Sequence, residues 1–166
     1  MYSDYKLSSD GKDVESITYD ITKDQNQLNI AKAALKANPD LYFEGFSNSA
    51  PLFYELNRCT SGGGTVNSDG TVTSNGKLNN LNDDMYDDFA KFIADATKLF
   101  KDNGIEFKSY SPMNEPDTDY WGYGSPKQEG CHFDPVTSQS KMITETRKAL
   151  DNAGFTDVLV AGMDET

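Results

Sequence analysis

The triplet Asn114-Glu115-Pro116 places a carboxyl group in a stretch that is rich in acidic and aromatic residues. These neighbours are Asp117, Asp119, Tyr120, Trp121 and Tyr123. A carboxylic acid can protonate a glycosidic oxygen, and aromatic rings can stack against sugar rings. The combination is therefore typical of a carbohydrate site. The alternative is a solvated loop carboxylate whose aromatic neighbours only pack the loop, since charged side chains are mostly exposed.

Helix and strand patterns alternate along the chain and would position this triplet. Apolar residues at helical spacing predict helices at about 23–37, 83–102 and 137–153. Short apolar runs predict strands at 41–46, 105–112 and 157–162. Such alternation predicts an α/β fold with a parallel sheet.

Capping signals set the expected ends of these helices. Thr22 with Gln25 has the form of a capping box, and Asn82 and Thr137 are suitable N-caps for the second and third helices. Gly104 follows the second helix at the position where glycine commonly ends a helix.

Two long loops, at about 47–81 and 113–136, connect strand ends to the following helices. Loops longer than about 12–15 residues are usually functional, and α/β proteins place their sites at the carboxyl ends of strands. We therefore expect the site in these loops. Within the first loop, Gly62-Gly63-Gly64 indicates flexibility, and Asn67-Ser68-Asp69-Gly70 predicts the turn of a small hairpin. Residues 1–20 lack periodicity and are expected to be irregular.

Composition excludes several classes of function. The chain has 166 residues and a net charge of −12, which disfavours nucleic acid and membrane surfaces as partners. No apolar stretch approaches the length of a membrane span, and the residues after Met1 lack the features of a signal peptide. The pairs Asp117-x-Asp119 and Asn67-x-Asp69 resemble fragments of a calcium loop but lack its later glutamate. We therefore expect no metal and no cofactor.

Cys59 and Cys131 lie in loops that follow neighbouring strands. A disulfide that ties the two loops together is one interpretation, which requires an oxidising compartment. Two unpaired thiols are the other.

Three motifs resemble glycoside hydrolase family 30, and most closely its endo-β-1,6-galactanase branch. They are Phe46-Ser47-Asn48-Ser49-Ala50-Pro51, Ser111-Pro112-Met113-Asn114-Glu115-Pro116 and Gln128-Glu129-Gly130-Cys131-His132-Phe133. Their order and spacing match the family over about residues 20–166. Asn-Glu-Pro alone is common among barrel glycosidases, whereas the three motifs in sequence are much more specific.

The resemblance implies a retaining glycosidase. Residues 1–166 would form part of a (β/α)8 catalytic domain, with the three predicted strands similar to strands three to five of eight. Glu115 matches the general acid/base, and Asn114 matches the residue that binds the sugar 2-hydroxyl. The other residues in the matching segments would line the substrate cleft: Asn48, Ser49, Trp121, Glu129 and His132.

A retaining mechanism also needs a second carboxyl group as nucleophile, and none of the three motifs supplies it. The family nucleophile is a glutamate at the end of the seventh strand, and the resemblance places this chain's last strand fifth. Among residues present, Glu165 is the nearest candidate because neighbouring strand ends are about 4.8 Å apart. A binding role at the rim is the favoured interpretation of Glu165. Asp164 and Glu44 are the other carboxylates near strand ends.

Three hypotheses remain at this point. The first is a glycosidase of β-linked polysaccharide, most closely β-1,6-galactan, that acts outside the cell, as the resemblance implies. The second is a catalytically inactive barrel fragment with residual carbohydrate binding. The third is a small open α/β sheet of unrelated function. A barrel cut after its fifth strand would expose two sheet edges, which predicts self-association.

Overall fold

A computed structural model describes residues 1–126 and 128–162. The chain begins with an antiparallel hairpin of β1 (Tyr2–Leu7) and β2 (Val14–Tyr19). The expectation that residues 1–20 are irregular is therefore wrong. This hairpin exposes most of its residues and packs only a few apolar side chains against the core, so its sequence carries little period-two alternation.

The remaining elements alternate between helix and strand. They are α1 (Gln25–Ala37), β3 (Phe43–Phe46), β4 (Gly64–Val66), β5 (Val72–Ser74), α2 (Tyr86–Asp102), β6 (Phe107–Ser111), α3 (Ser138–Asn152) and β7 (Leu159–Val160). β3, β6 and β7 form a parallel sheet with β6 at its centre. β4 and β5 form the small hairpin predicted in the first long loop. The predicted α/β alternation and parallel sheet are confirmed.

The described sheets do not close into a barrel. Their strands are also shorter than the apolar runs suggested, and β7 has two residues. Leu159 of β7 is 70% exposed, and Glu44 and Phe46 are exposed on β3, at the opposite edge of the sheet. Although the strand sequences are apolar, these exposed side chains show that one face of the sheet is open.

The core lies between the sheet and helices α2 and α3. The apolar stripe predicted for α2 is buried throughout: Met85, Phe89, Phe92, Ile93, Ala96 and Phe100. Met142 and Leu150 of α3 are buried in the same cluster as Tyr110 of β6. These contacts hold β6, and the residues that follow it, on a rigid support. Within the described part of the chain, no helix is both long and apolar enough to cross a bilayer.

One of the predicted helix caps is wrong, and another lacks its capping hydrogen bond. Asn82 accepts a hydrogen bond from the Asp84 amide, and Gly104 has φ 88°, both as expected. In the 3-10 turn Ile21–Asp24 that leads into α1, however, Asp20 rather than Thr22 is the N-cap, and it accepts from the Thr22 amide at 3.0 Å. At α3, Thr137 occupies the N-cap position as expected, but its side chain makes no capping hydrogen bond, and its own amide donates to Asp134 at 2.9 Å.

Candidate active site

The two long loops meet at the carboxyl ends of β3 and β6. The Ser47 amide donates to the carbonyl of Ser111 at 3.0 Å and so continues the pairing beyond the strands. Further along, the Gly63 amide donates to the Trp121 carbonyl at 2.8 Å. Backbone hydrogen bonds therefore join the loops into one structure.

Glu115 has an unusual backbone conformation. Its φ is 40°, in the left-handed region that non-glycine residues rarely adopt. Its carbonyl accepts from the Thr118 hydroxyl at 2.8 Å and from the Trp121 indole N–H at 3.2 Å. Such strain persists only where surrounding contacts enforce it, and it is concentrated at functional sites.

The Glu115 carboxyl is half-buried and accepts a hydrogen bond at Oε2 from the hydroxyl of Tyr120. The Tyr120 ring meets the Trp121 ring edge-on, with centroids 4.5 Å apart and an interplanar angle of 61°. Tyr120 is itself 47% exposed. The carboxyl group therefore lies at the protein surface, held by a partner that solvent or substrate can reach.

Asn114 lies next to Glu115 and is almost fully buried, with 7% of its surface exposed. None of the described residues offers a hydrogen-bond acceptor to its Nδ2. A buried donor without an acceptor costs about 1–3 kcal/mol. This side chain therefore has an unfilled hydrogen-bonding position beside the candidate acid.

Trp121 does not line a cleft as the sequence suggested, because only 1% of its surface is exposed. A Cβ atom at Gly130 would lie 2.4 Å from the Trp121 ring, and one at Gly62 would lie 2.1 Å from the Trp121 carbonyl oxygen. Glycines thus allow the loops to enclose this residue. Trp121 supports Glu115 from beneath through its N–H and is unavailable for stacking.

The glycine run in the first loop is packed rather than flexible. A Cβ atom at Gly63 would lie 2.2 Å from the Leu78 carbonyl oxygen, and Gly64 begins β4. The expectation of flexibility for this run is therefore wrong, because close backbone packing also requires glycine.

The other predicted site residues lie around the rim. Ser49 donates to Oε2 of Glu129 at 2.7 Å, which joins the two loops above the sheet. His132 contacts the Thr118 carbonyl through Nδ1 at 2.9 Å and so braces the turn that follows Glu115. Asn48 is exposed beyond the end of β3.

The remaining carboxylates near strand ends have different surroundings. Glu44 is exposed on the open sheet face and accepts from the Ser109 hydroxyl at 2.5 Å. Asp164 and Glu165 lie outside the described residues. Within residues 1–126 and 128–162, no group of three or more acidic, histidine or cysteine side chains is arranged to hold a metal ion.

The two cysteines are free thiols, so the possible disulfide is absent from this structure. Cys131 is buried and directs its Sγ at Oε2 of Glu55, at 3.9 Å. Cys59 lies 3.1 Å from the Ser61 hydroxyl oxygen.

Glu55 is a buried carboxyl group that sequence reasoning missed. Only 1% of its surface is exposed, and Oε1 has no donor among the described residues. Burial raises the pKa of Glu55 well above the ordinary glutamate value, and the nearby Cys59 adds to the effect. One sequence feature could have predicted this burial: Glu55 lies within an aromatic and apolar run, Leu52-Phe53-Tyr54-Glu55-Leu56.

Comparison with known proteins decides the family. Residues 10–158 match the model of O-glycosyl hydrolase family 30. The chain belongs to glycoside hydrolase family 30. The family resemblance inferred from the three sequence motifs is thereby confirmed.

Individual proteins similar to this chain are considerably longer than it. An endo-β-1,6-galactanase from Hypocrea rufa is 30% identical over 154 residues, which are 92% of this chain and 29% of the relative. A conserved exported protein from Bacteroides fragilis is 29% identical with a TM-score of 0.70, and the match covers 96% of this chain and 28% of that one. SrfJ from Salmonella typhimurium shares the fold, with a TM-score of 0.67 and 18% identity over 96% of this chain and 31% of SrfJ. The chain thus spans about three tenths of these proteins.

Proposed function

We propose that this chain carries the general acid/base of a retaining family 30 glycosidase. β3, β6 and β7 would then correspond to strands three to five of a (β/α)8 barrel. The parallel order of these strands and the long loops at their carboxyl ends support this assignment. So does the structural similarity to much longer members of the same fold.

We propose β-1,6-galactan as the substrate and the extracellular space as the place of action. The galactanase from Hypocrea rufa supports the substrate, and the exported protein from Bacteroides fragilis supports the location. The carbohydrate class itself follows from membership of the family.

In this mechanism Glu115 first protonates the glycosidic oxygen of the leaving sugar. It then removes a proton from the water that hydrolyses the glycosyl-enzyme intermediate. A second carboxyl group about 5–5.5 Å away must act as the nucleophile. In the family this is a glutamate at the end of the seventh strand, which lies outside the three parallel strands described here.

The observation that carries the proposal is the Nδ2 of Asn114 beside Glu115, which has no acceptor within residues 1–126 and 128–162. Nδ2 is enclosed, so a sugar hydroxyl would accept a hydrogen bond from this amide once the Asn114 side chain turns towards the substrate, and the bond would remove the cost of burial. In retaining glycosidases, hydrogen bonds to the 2-hydroxyl strengthen in the transition state. Asn114 would therefore contribute to catalysis as well as to binding. Ser49, Glu129, His132 and Asn48 would form the surrounding rim.

The test compares Glu115→Gln with Glu106→Gln in the protein at the full length that its gene encodes. Glu106 is exposed and directly precedes β6, at the opposite end of the strand from Glu115, so it is a matched control. Release of reducing ends from β-1,6-galactan should fall about 10²–10⁴-fold in the first variant and stay unchanged in the second. Equal rates in wild type and Glu115→Gln, or galactan binding by calorimetry without any turnover, would contradict the proposal.

A further inference from the structure

Tyr120 differs from the other aromatic residues near Glu115 because it contacts the carboxyl group itself. Its hydroxyl donates to Oε2 of Glu115, although the two residues are five positions apart in an irregular loop. A general acid/base must present one oxygen to the reacting atoms in both halves of the reaction. A donor fixed at Oε2 restricts the orientation of the carboxyl group through both halves.

The contacts around Tyr120 fix the position of its hydroxyl. Its ring is held edge-on by Trp121, and Trp121 is enclosed by the glycines of both loops. The same Trp121 also donates to the Glu115 carbonyl. One buried side chain thus orients both the backbone of Glu115 and the phenol that contacts its carboxyl group.

We propose that Tyr120 is a positioning residue for the acid/base Glu115. Its hydroxyl holds Oε2 so that the carboxyl group keeps one rotamer throughout the reaction. This inference rests on the proposed function for its catalytic meaning, but the geometric part can be tested without substrate. The sequence gives no indication of it, because a tyrosine in an aromatic loop is equally typical of packing.

The test uses Tyr120→Phe, which removes one oxygen and keeps the ring that packs on Trp121. Tyr42→Phe is the control, because Tyr42 is 71% exposed and lies before β3, at the other end of the sheet. Crystal structures of the full-length protein and both variants would show the Glu115 side chain. We expect one rotamer in wild type and Tyr42→Phe, and several rotamers or a changed one in Tyr120→Phe.

Kinetics on β-1,6-galactan provide the second measurement. Tyr120→Phe should lower kcat about tenfold with little change in KM, since the hydrogen bond orients the acid and does not bind the sugar. An unchanged Glu115 rotamer in Tyr120→Phe, or the same loss in Tyr42→Phe, would overturn the inference. If no variant and no wild type hydrolyses galactan, the proposed function fails, while the rotamer comparison still decides the role of Tyr120.

Discussion

Glu115 shows how a single residue depends on contacts that its own motif does not contain. The Asn-Glu-Pro triplet identifies the carboxyl group, but the positive φ of Glu115 is enforced by Thr118 and Trp121. Sequence reasoning therefore found the candidate acid and gave Trp121 the wrong place. A tryptophan beside an acid is typical of sugar stacking, and only the glycines that close around it reveal that it is buried.

Glu55 provides a prediction at the same scale. Because burial raises its pKa, the folded state keeps a proton that an unfolded glutamate has already lost. Its stabilising contribution is complete below the ordinary glutamate pKa, roughly 4.3, and is lost as the pH rises through the higher folded-state value. The free energy of unfolding should therefore fall by up to about 1.4 kcal/mol per pH unit in that window.

Denaturant unfolding at a series of pH values would measure this effect. Glu55→Gln keeps the shape of the side chain and cannot ionise, so its stability should decline less with rising pH than that of wild type. Glu106→Gln removes an exposed carboxylate and should follow wild type. Parallel curves for wild type and Glu55→Gln would show that Glu55 is charged in the folded protein.

At the scale of elements, the periodicity of apolar residues predicted the elements that bury one face in the core. The prediction of a buried apolar stripe on α2 was correct, because burial of one helix face leaves a strong 3.6-residue pattern in the sequence. The β1–β2 hairpin was missed because it buries too few side chains to leave a pattern. Thr22 was misplaced as a cap because Asp20 caps the turn before α1, and Thr137 holds its predicted N-cap position without a capping hydrogen bond.

The packing between the two loops gives a prediction for Gly130→Ala. The added Cβ would lie 2.4 Å from the Trp121 ring, so the ring or the loop must move. Overpacking of this kind costs about 1–3 kcal/mol of stability. Because Trp121 orients Glu115, galactan hydrolysis should fall as well.

Gly162→Ala is the matched control, since its Cβ would lie 3.9 Å from Ile143, at ordinary contact distance. Thermal unfolding and hydrolysis would be measured for both variants. Equal stability of the two would contradict the packing described for Trp121.

At the scale of the whole molecule, the sequence predicted the strand ends at which the candidate site lies, and it did not predict the contacts between the loops. The order of three motifs placed the conserved segments of the family at neighbouring strand ends, and the structure joins their loops through Ser49 and Glu129. Contacts between side chains from different loops, such as those of Cys131 with Glu55, leave no local sequence signal. The sequence could therefore identify the region but not its internal hydrogen bonds.

The open sheet predicts self-association of the 166-residue chain. β3 and β7 are the outer strands of the parallel sheet, and Leu159 of β7 is 70% exposed. Unpaired strand edges and apolar side chains favour pairing with another chain. Leu159→Lys should increase the monomer fraction in sedimentation velocity.

Val136→Lys makes the same change at a side chain that is 80% exposed in a loop outside the sheet. It should leave the monomer fraction as in wild type. A chain that sediments as a monomer at every concentration would contradict association through the sheet.

The most direct test of the central claim is azide rescue of Glu115→Ala in the full-length protein. Without its acid/base, a retaining enzyme can still form the glycosyl-enzyme intermediate from an activated aryl β-galactoside, but it cannot activate water to release the sugar. Azide needs no general base, so it should restore turnover and yield β-galactosyl azide. Failure of azide to accelerate the variant, or an α-configured product, would contradict the assignment of Glu115 as the acid/base of a retaining glycosidase.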